Sequence, residues 1–448
     1  MNNVVKTTSS LRSGTAGLAV LFLAGFMSIT TETLPMGLLP QVSGGLGVSE
    51  SRAGLLVALY AFVIMVVTLP ITARTAHWPQ RRLLLVIVAV FVLSNLLLAA
   101  APSYAVAVVA RLIAATVHGV LWSVLPAYAT RLVPAERTGR AVAVVFASNT
   151  AALTFGVPLG TAVGNALSWR SAFVLLAVVA ALVLVAAPVL LPETSGSPAT
   201  RGTALAAFKL PGVLTITLAT ALVMLGHFSI YSYISPYLRH IGISEAGAGP
   251  VLLAFGLAGV VGVWTTGVLV DRRPRGATLV FTGGMALVFA ALAATGRATA
   301  VSLVLVVIWG LLFAGLPTLL QSAALTAAPQ AQAAVSALYV IGVNFSIGGG
   351  SIAGGQVLDR LGAAALPLLA AASAAASWFI VAGARRHAFP RRPVTSAAAR
   401  PEQDSGDSMP RDADDASLTA RPPADADADQ SGAASLSCPE RSAMGRCD

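Results

Sequence analysis

Twelve times along this chain a run of about twenty residues passes with scarcely a charge in it: 16–39, 53–73, 82–101, 105–129, 140–165, 170–191, 211–238, 246–270, 277–295, 299–323, 332–357 and 362–383. A helix of that length crosses the hydrocarbon core of a bilayer, which is roughly 30 Å thick. No water is available there to satisfy backbone N–H and C=O groups, so each run has to close its hydrogen bonds within itself. Charged residues make up only 10% of the 448 and hydrophobic ones 56%, which excludes a soluble enzyme. The expectation is an all-α membrane protein of twelve transmembrane helices.

The net charge of +10 would suit a nucleic-acid partner if it were clustered on one surface, so its placement decides its meaning. With the N-terminus in the cytoplasm, Lys6, Arg12, Arg74, Arg81, Arg82, Arg131, Arg137 and Arg140 fall inside, as do the basic residues at 201, 209, 272–275, 385–386 and 391–392. Arg52, Arg170, Arg239, Arg297 and Arg360 fall outside. This is the positive-inside bias of a protein with both termini cytoplasmic, seated in the cytoplasmic membrane. The basic excess is topology, and no nucleic-acid partner is expected. The two cysteines, Cys438 and Cys447, lie near the C-terminus, so neither a disulfide framework nor a cysteine metal site is indicated. Residues 385–448 are rich in Ala, Pro, Ser and Asp, and read as a disordered cytoplasmic tail.

The chain repeats itself. GVSESRAG (47–54) answers to GISEAGAG (242–249) at an offset of 195, and HGVLWSVLP (118–126) to WGLLFAGLP (309–317) at 191. Gly156 and Gly160 answer to Gly350 and Gly354 at 194. Three matches in order divide the chain into a six-helix half (1–191), a cytoplasmic linker (192–210), a second six-helix half (211–384) and the tail (385–448). Two such repeats about an axis along the membrane normal form the plan of a rocking transporter with its site between them.

GVLVDRR (267–273) looks like the loop signature between the second and third helices of a half in the major facilitator superfamily. FGVPLGTAVG (155–164) looks like the fifth-helix signature of its drug:proton antiporter branch. TTETLPMGLLP (30–40), ARLIAATVHGVLWSV (110–124), GVPLGTAVGNALSWRSAF (156–173) and HFSIYSYISPYL (227–238) resemble segments of bacterial sugar-efflux transporters. The resemblance covers residues 16 to about 383. It implies a monomeric proton antiporter, with helix bending and leakage controlled at Gly156, Pro158 and Gly160 and a gating loop at Gly267, Asp271 and Arg272. The first half departs from the loop signature, because the 195 offset places Ala76 opposite Asp271 and Thr72 opposite Gly267. Any gating contact made by that aspartate is absent or replaced there.

Of the acidic residues, Glu32 alone sits at depth in a span; the others lie in the tail, in loops or at helix ends. Basic and imidazole groups within spans reduce to Arg111, His118 and His227. Each ionised group at a span's centre costs roughly 2.5–3.5 kcal/mol, so such groups mark function or a structural pair. Arg111, His118 and Trp122 fall on one stripe of their helix, and His227, Tyr231 and Ser235 on one stripe of another. The 195 offset maps Glu32 onto His227, which predicts that both point at a central cavity. Burial disfavours a carboxylate and a nearby cation favours it, so an acid shielded in one conformation and wetted in the other can carry a proton. Glu32 is the expected carrier, with Arg111 and His118 as its charge partners or as groups that orient substrate. A structural ion pair of Glu32 with Arg111 is the alternative.

His118, Trp122, Asn149, His227, Tyr231, Tyr233, Gln321 and Asn344 are the polar and aromatic candidates for a substrate site. Their mixture suits a sugar or another small polar compound, with an amphipathic drug as the second reading. Helical packing and interhelical hydrogen bonds account for the same residues equally simply, and close packing for the Gly156, Gly160 and Gly164 stripe. Gly348, Gly349, Gly350 and Gly354 lack the Lys-Ser/Thr ending of a phosphate loop, so no nucleotide is expected. No metal cluster, nucleophile elbow or carboxylate pair occurs in the spans, and neither an enzyme nor a cofactor is expected.

Overall fold

A computed structural model describes residues 2–196, 210–296, 298–384 and 388, with side chains from residue 14 onward except those of 271 and 333. The tail, apart from Ala388, and most of the linker lie outside the described residues. Among the described residues twelve helices are long and apolar enough to cross a membrane. The first half comprises α1 (Asn2–Gly37), α2 (Leu39–Leu46), α3 (Glu50–Thr75), α4 (Gln80–Ala99), α5 (Tyr104–Arg131), α6 (Thr138–Ala151), α7 (Val157–Ala166) and α8 (Trp169–Leu190). A π turn at Ala152–Gly156 joins α6 to α7 into one span. The second half comprises α9 (Val213–Tyr231), α10 (Ile234–His240), α11 (Glu245–Arg272), α12 (Pro274–Ala294), α13 (Thr299–Ala327), α14 (Gln332–Leu361) and α15 (Leu366–Gly383).

The repeat seen in sequence is a repeat of local chemistry. Ser49 and Ser244, matched at the 195 offset, cap α3 and α11 by accepting from the backbone N–H of Arg52 (3.2 Å) and Gly247 (3.3 Å). Each half also breaks its first span before its C-terminal end, the first at Leu38 and the second at Ser232–Tyr233. The span expected to run unbroken over 211–238 is therefore two helices. A proline follows each break by two to four residues: Pro40 and Pro236 have no N–H to give to the carbonyls of Met36 and Ser232, which weakens the helix there.

Packing repeats as well. In the first half α1 lies against α6 and α8, α3 against α5, and α4 against α5 and α8; in the second, α9 lies against α14 and α15, α11 against α13, and α12 against α13 and α15. The halves meet along α3 with α14 and along α7 with α11, two seams that the pseudo-two-fold exchanges, while α1 and α2 meet α10 between them. Ser351 Oγ donates to Gly54 O (2.9 Å), Thr154 Oγ1 to Gly256 O (3.1 Å) and Ser235 Oγ to Gly37 O (2.8 Å). Arg239 of α10 pairs with Glu50 at the start of α3, and Asn165 Nδ2 donates to Glu245 O (2.5 Å).

Most of these bonds gather at the end of the bundle where α1 stops and α3 and α11 begin, here the far end; the other, where α1 starts and α15 stops, is the terminal end. Along α3 the residues 55, 59, 62, 66 and 69 share one stripe. Phe62 on that stripe packs against Gly348 and the ring of Phe345 (6.4 Å), whereas Val66 is 65% exposed and Leu69 49%. Leu55 and Leu59 on the same stripe are each 36% exposed, so Phe62 marks a contact across the seam and exposure along the stripe is greatest beyond it, toward the terminal end.

Candidate functional site

Glu32 lies five residues before the end of α1 and is 7% exposed. Three residues on, Pro35 leaves the Thr31 carbonyl without its helical donor. Arg111 of α5 supplies one: its two terminal nitrogens donate to Thr31 O (2.5 Å) and Glu32 O (2.9 Å). The guanidinium lies 4.1 Å from the centroid of the Tyr60 ring, and Nε has no partner. Arg111 is thus near the acid, as its stripe predicted, but it bonds the helix backbone rather than the carboxylate. The ion pair of Glu32 with Arg111, the alternative reading of the sequence, is not the contact formed.

His118 makes that contact instead. Its Nε2 stands 3.5 Å from Glu32 Oε2, ion-pair distance and longer than a good direct hydrogen bond. On the other edge of the ring, Nδ1 meets Ser28 Oγ and Tyr60 OH, each at 3.0 Å. Ser28 lies one helical turn before Glu32, a spacing that the sequence displays. Tyr60 comes from α3 and carries no comparable signal. Beneath the cluster, Asn95 Nδ2 donates to Thr31 Oγ1 (3.2 Å) and ties α4 to the same turn of α1. A buried acid beside an imidazole, with hydroxyls on the imidazole's second nitrogen, can hold a proton and pass it on.

The second half builds the same contact in uncharged form. His227 occupies the place of Glu32 and Trp309 that of His118, and Trp309 Nε1 donates to His227 Nδ1 (3.0 Å). The His227 ring stacks on Phe313 (3.3 Å, 2°) and Tyr231 (4.9 Å, 21°), and Nε2 is buried without a partner. His227 therefore sits in an aromatic cluster between α9 and α13. Glu32 and His227, expected to point at a central cavity, each contact the fourth spanning helix of their own half, α5 and α13. Trp309 was legible in the repeat, since it stands opposite His118 at 191.

The remaining candidates are dispersed. Trp122, on the Arg111–His118 stripe of α5, lies against Phe146 of α6 (6.0 Å), with its indole N–H buried and unpartnered. Asn344 Nδ2 donates to Val340 O (3.0 Å) while its Oδ1 is buried without a partner; Asn149 and Gln321 are half-buried. Tyr233 is in the far-end seam: its hydroxyl donates to Ser351 O (2.7 Å) and passes between Gly54 and Gly355. A Cβ at either glycine would collide with the phenol oxygen. Ser235, expected on the His227 stripe, has passed the break and bonds Gly37 O. Gly156 and Gly160 lie against Thr30 and Leu34 of α1, with Pro158 buried between them. Gly267 has open space about it, Arg272 is exposed, and the Asp271 side chain lies outside the described residues. Among the described residues no group of His, Cys, Asp and Glu could hold a metal ion.

Comparison with known proteins extends the family resemblance. The family model described as Major Facilitator Superfamily matches residues 21–351. A chloramphenicol efflux pump of Mycobacterium tuberculosis is 34% identical over 354 residues, 77% of this chain and 86% of the relative. A probable sugar efflux transporter of Mannheimia succiniciproducens is 34% identical over 370 residues, 81% of this chain and 92% of the relative. In three dimensions the chain matches a bacterial homolog of the human lysosomal transporter Spinster, solved in an inward-facing and unoccupied conformation. The TM-score is 0.61, over 83% of this chain and 95% of that one. At 14% identity this likeness speaks for the fold alone.

Proposed function

The chain belongs to the major facilitator superfamily, and on the strength of its buried acid we propose that it is a proton-coupled exporter of a sugar or related small polar compound. It is a multi-pass membrane transporter and not an enzyme. The observation that carries the coupling is the Glu32–His118 contact, placed on the helix whose outer end meets α10 of the other half. Rocking of the halves about that junction changes the water access of Glu32, which binds its proton from one side and releases it to the other. The charge bias of the loops supports a terminal end in the cytoplasm of a cell whose inner membrane holds the protein, and on that orientation the closed far end corresponds to an inward-facing state. A monomer suffices for this cycle, with protons and the solute as its partners.

His118, Trp122, Asn344, Asn149 and Gln321 are the groups proposed to meet solute, with Tyr231 at the edge of the aromatic cluster. The unpaired indole N–H of Trp122 and carbonyl of Asn344 are a donor and an acceptor that a hydroxylated solute would satisfy. An amphipathic antibiotic is the second reading, favoured by the ring cluster around His227 and by the chloramphenicol-exporting relative. Everted vesicles given chloramphenicol or a panel of sugars, with and without an uncoupler, separate the two. Glu32→Gln is expected to abolish uncoupler-sensitive flux while leaving solute binding intact. Flux in that variant equal to the native rate would refute the carrier assignment.

A further inference from the structure

A neutral imidazole has one N–H and one lone pair, and its neighbours decide which nitrogen holds which. In His118 the two edges of the ring meet different chemistry. Nε2 faces a carboxylate at 3.5 Å, and Nδ1 faces two hydroxyls at 3.0 Å. An ionised carboxylate only accepts, so it favours the proton on Nε2. Hydroxyls give or take a hydrogen bond, so Ser28 by itself leaves Nδ1 free to be either. Tyr60 differs. A phenol is a stronger donor and a weaker acceptor than an alcohol, because its oxygen lone pair is delocalised into the ring. The Arg111 guanidinium, 4.1 Å from that ring's centroid, draws density from it and sharpens the bias.

We propose that Tyr60 is a positioning residue: its hydroxyl donates to His118 Nδ1 and so holds the ring proton on Nε2, toward Glu32. The ionisable groups around His118 are Glu32 from α1, Tyr60 from α3 and Arg111 on its own helix; α4 contributes the apolar ring of Phe91 at 6.4 Å. With a committed donor on Nδ1, a second proton has no vacant lone pair to occupy. The ring stays neutral and Glu32 is left as the group that changes charge. That functional consequence rests on the reading of Glu32 as proton carrier, whereas the tautomer itself does not.

Nuclear magnetic resonance of the full chain in lipid vesicles, with isotope-labelled histidine, reports ring nitrogen protonation without any solute. The protein has five histidines, so the His118 signal is identified by its loss in His118→Gln. The native protein should show His118 with its proton on Nε2. Tyr60→Phe keeps the ring under Arg111 and removes only the donor; it should lower the ratio of Nε2–H to Nδ1–H by about threefold or more, the size of one net hydrogen bond. Ser28→Ala should leave the ratio near its native value. An unchanged ratio in Tyr60→Phe overturns the proposal even if that variant transports slowly, since loss of packing alone does not move a tautomer. Uncoupler-sensitive flux surviving in Glu32→Gln would overturn the carrier reading and leave the tautomer result standing.

Discussion

Arg111 is buried at 1% exposure because of a proline on another helix. Pro35 deprives Thr31 O of a backbone donor, and in hydrocarbon an orphaned carbonyl costs several kcal/mol. The planar fork of arginine reaches that carbonyl and the next one together while lying on Tyr60. Lysine lacks the planar fork that meets both carbonyls while lying on the Tyr60 ring, so Arg111→Lys is expected to destabilise the protein by about 1–3 kcal/mol in thermal unfolding in detergent. Pro35→Ala restores a helical donor to Thr31. The double variant should therefore lose less than the two single losses added together. Simple additivity in that cycle would show that Arg111 is held by something other than the freed carbonyl.

The fifth span owes its glycines to α1. A Cβ at Gly156, Gly160 or Gly164 would collide with Thr30, Leu34 or Leu38 respectively, one helical turn apart on both helices. The small-residue stripe is the bed on which the Glu32 helix lies, and the π turn ahead of Pro158 accommodates the lost backbone bond. Gly164→Val should destabilise by about 1–3 kcal/mol through overpacking against Leu38. At Gly267, in the loop signature, an added Cβ would meet no atom within 4 Å, and Gly267→Ala should hold or raise the unfolding temperature. Equal losses in the two variants would argue against helix contact as the reason for the stripe.

The molecule as a whole is held shut at the far end by bonds that must break together for the halves to rock. Tyr233 threads Gly54 and Gly355, Arg239 pairs with Glu50, and Gln41 Nε2 donates to Glu245 Oε2 (3.2 Å). Gly54→Val pushes directly on the Tyr233 hydroxyl, so it should shift the population toward the state open at the far end. In a background lacking Cys438 and Cys447, Gln41→Cys should then react several-fold faster with an impermeant maleimide when Gly54→Val is present. Equal labelling rates would show that Tyr233 does not seal the seam. The charge count makes a second prediction for the whole cycle. Glu32 is the sole acidic residue among the buried ones described, and its counterpart His227 is in a neutral hydrogen bond. Export of an uncharged solute should move one elementary charge per turnover, read from reversal potentials in proteoliposomes; two charges would require another titrating group.

Twelve spans, two halves and the acid at depth were legible in the residues alone, because hydrocarbon punishes charge and open backbone so heavily that the pattern survives in one chain. The glycine stripe was legible as a close-packing motif, while Ser49 and Ser244 were legible as members of a repeated segment and became helix caps only in the structure. What the acid touches was not. Partners on α3 and α5 are set by how helices rotate and cross, and a stripe of residues names a face without naming its neighbour. So Arg111 went to the carbonyl freed by Pro35 and to the one after it, Tyr60 entered from a helix with no mark on it, and Tyr233 turned into the seam once the seventh span broke. Only the packed structure could decide these, because each depends on the relative placement of segments that the chain keeps far apart.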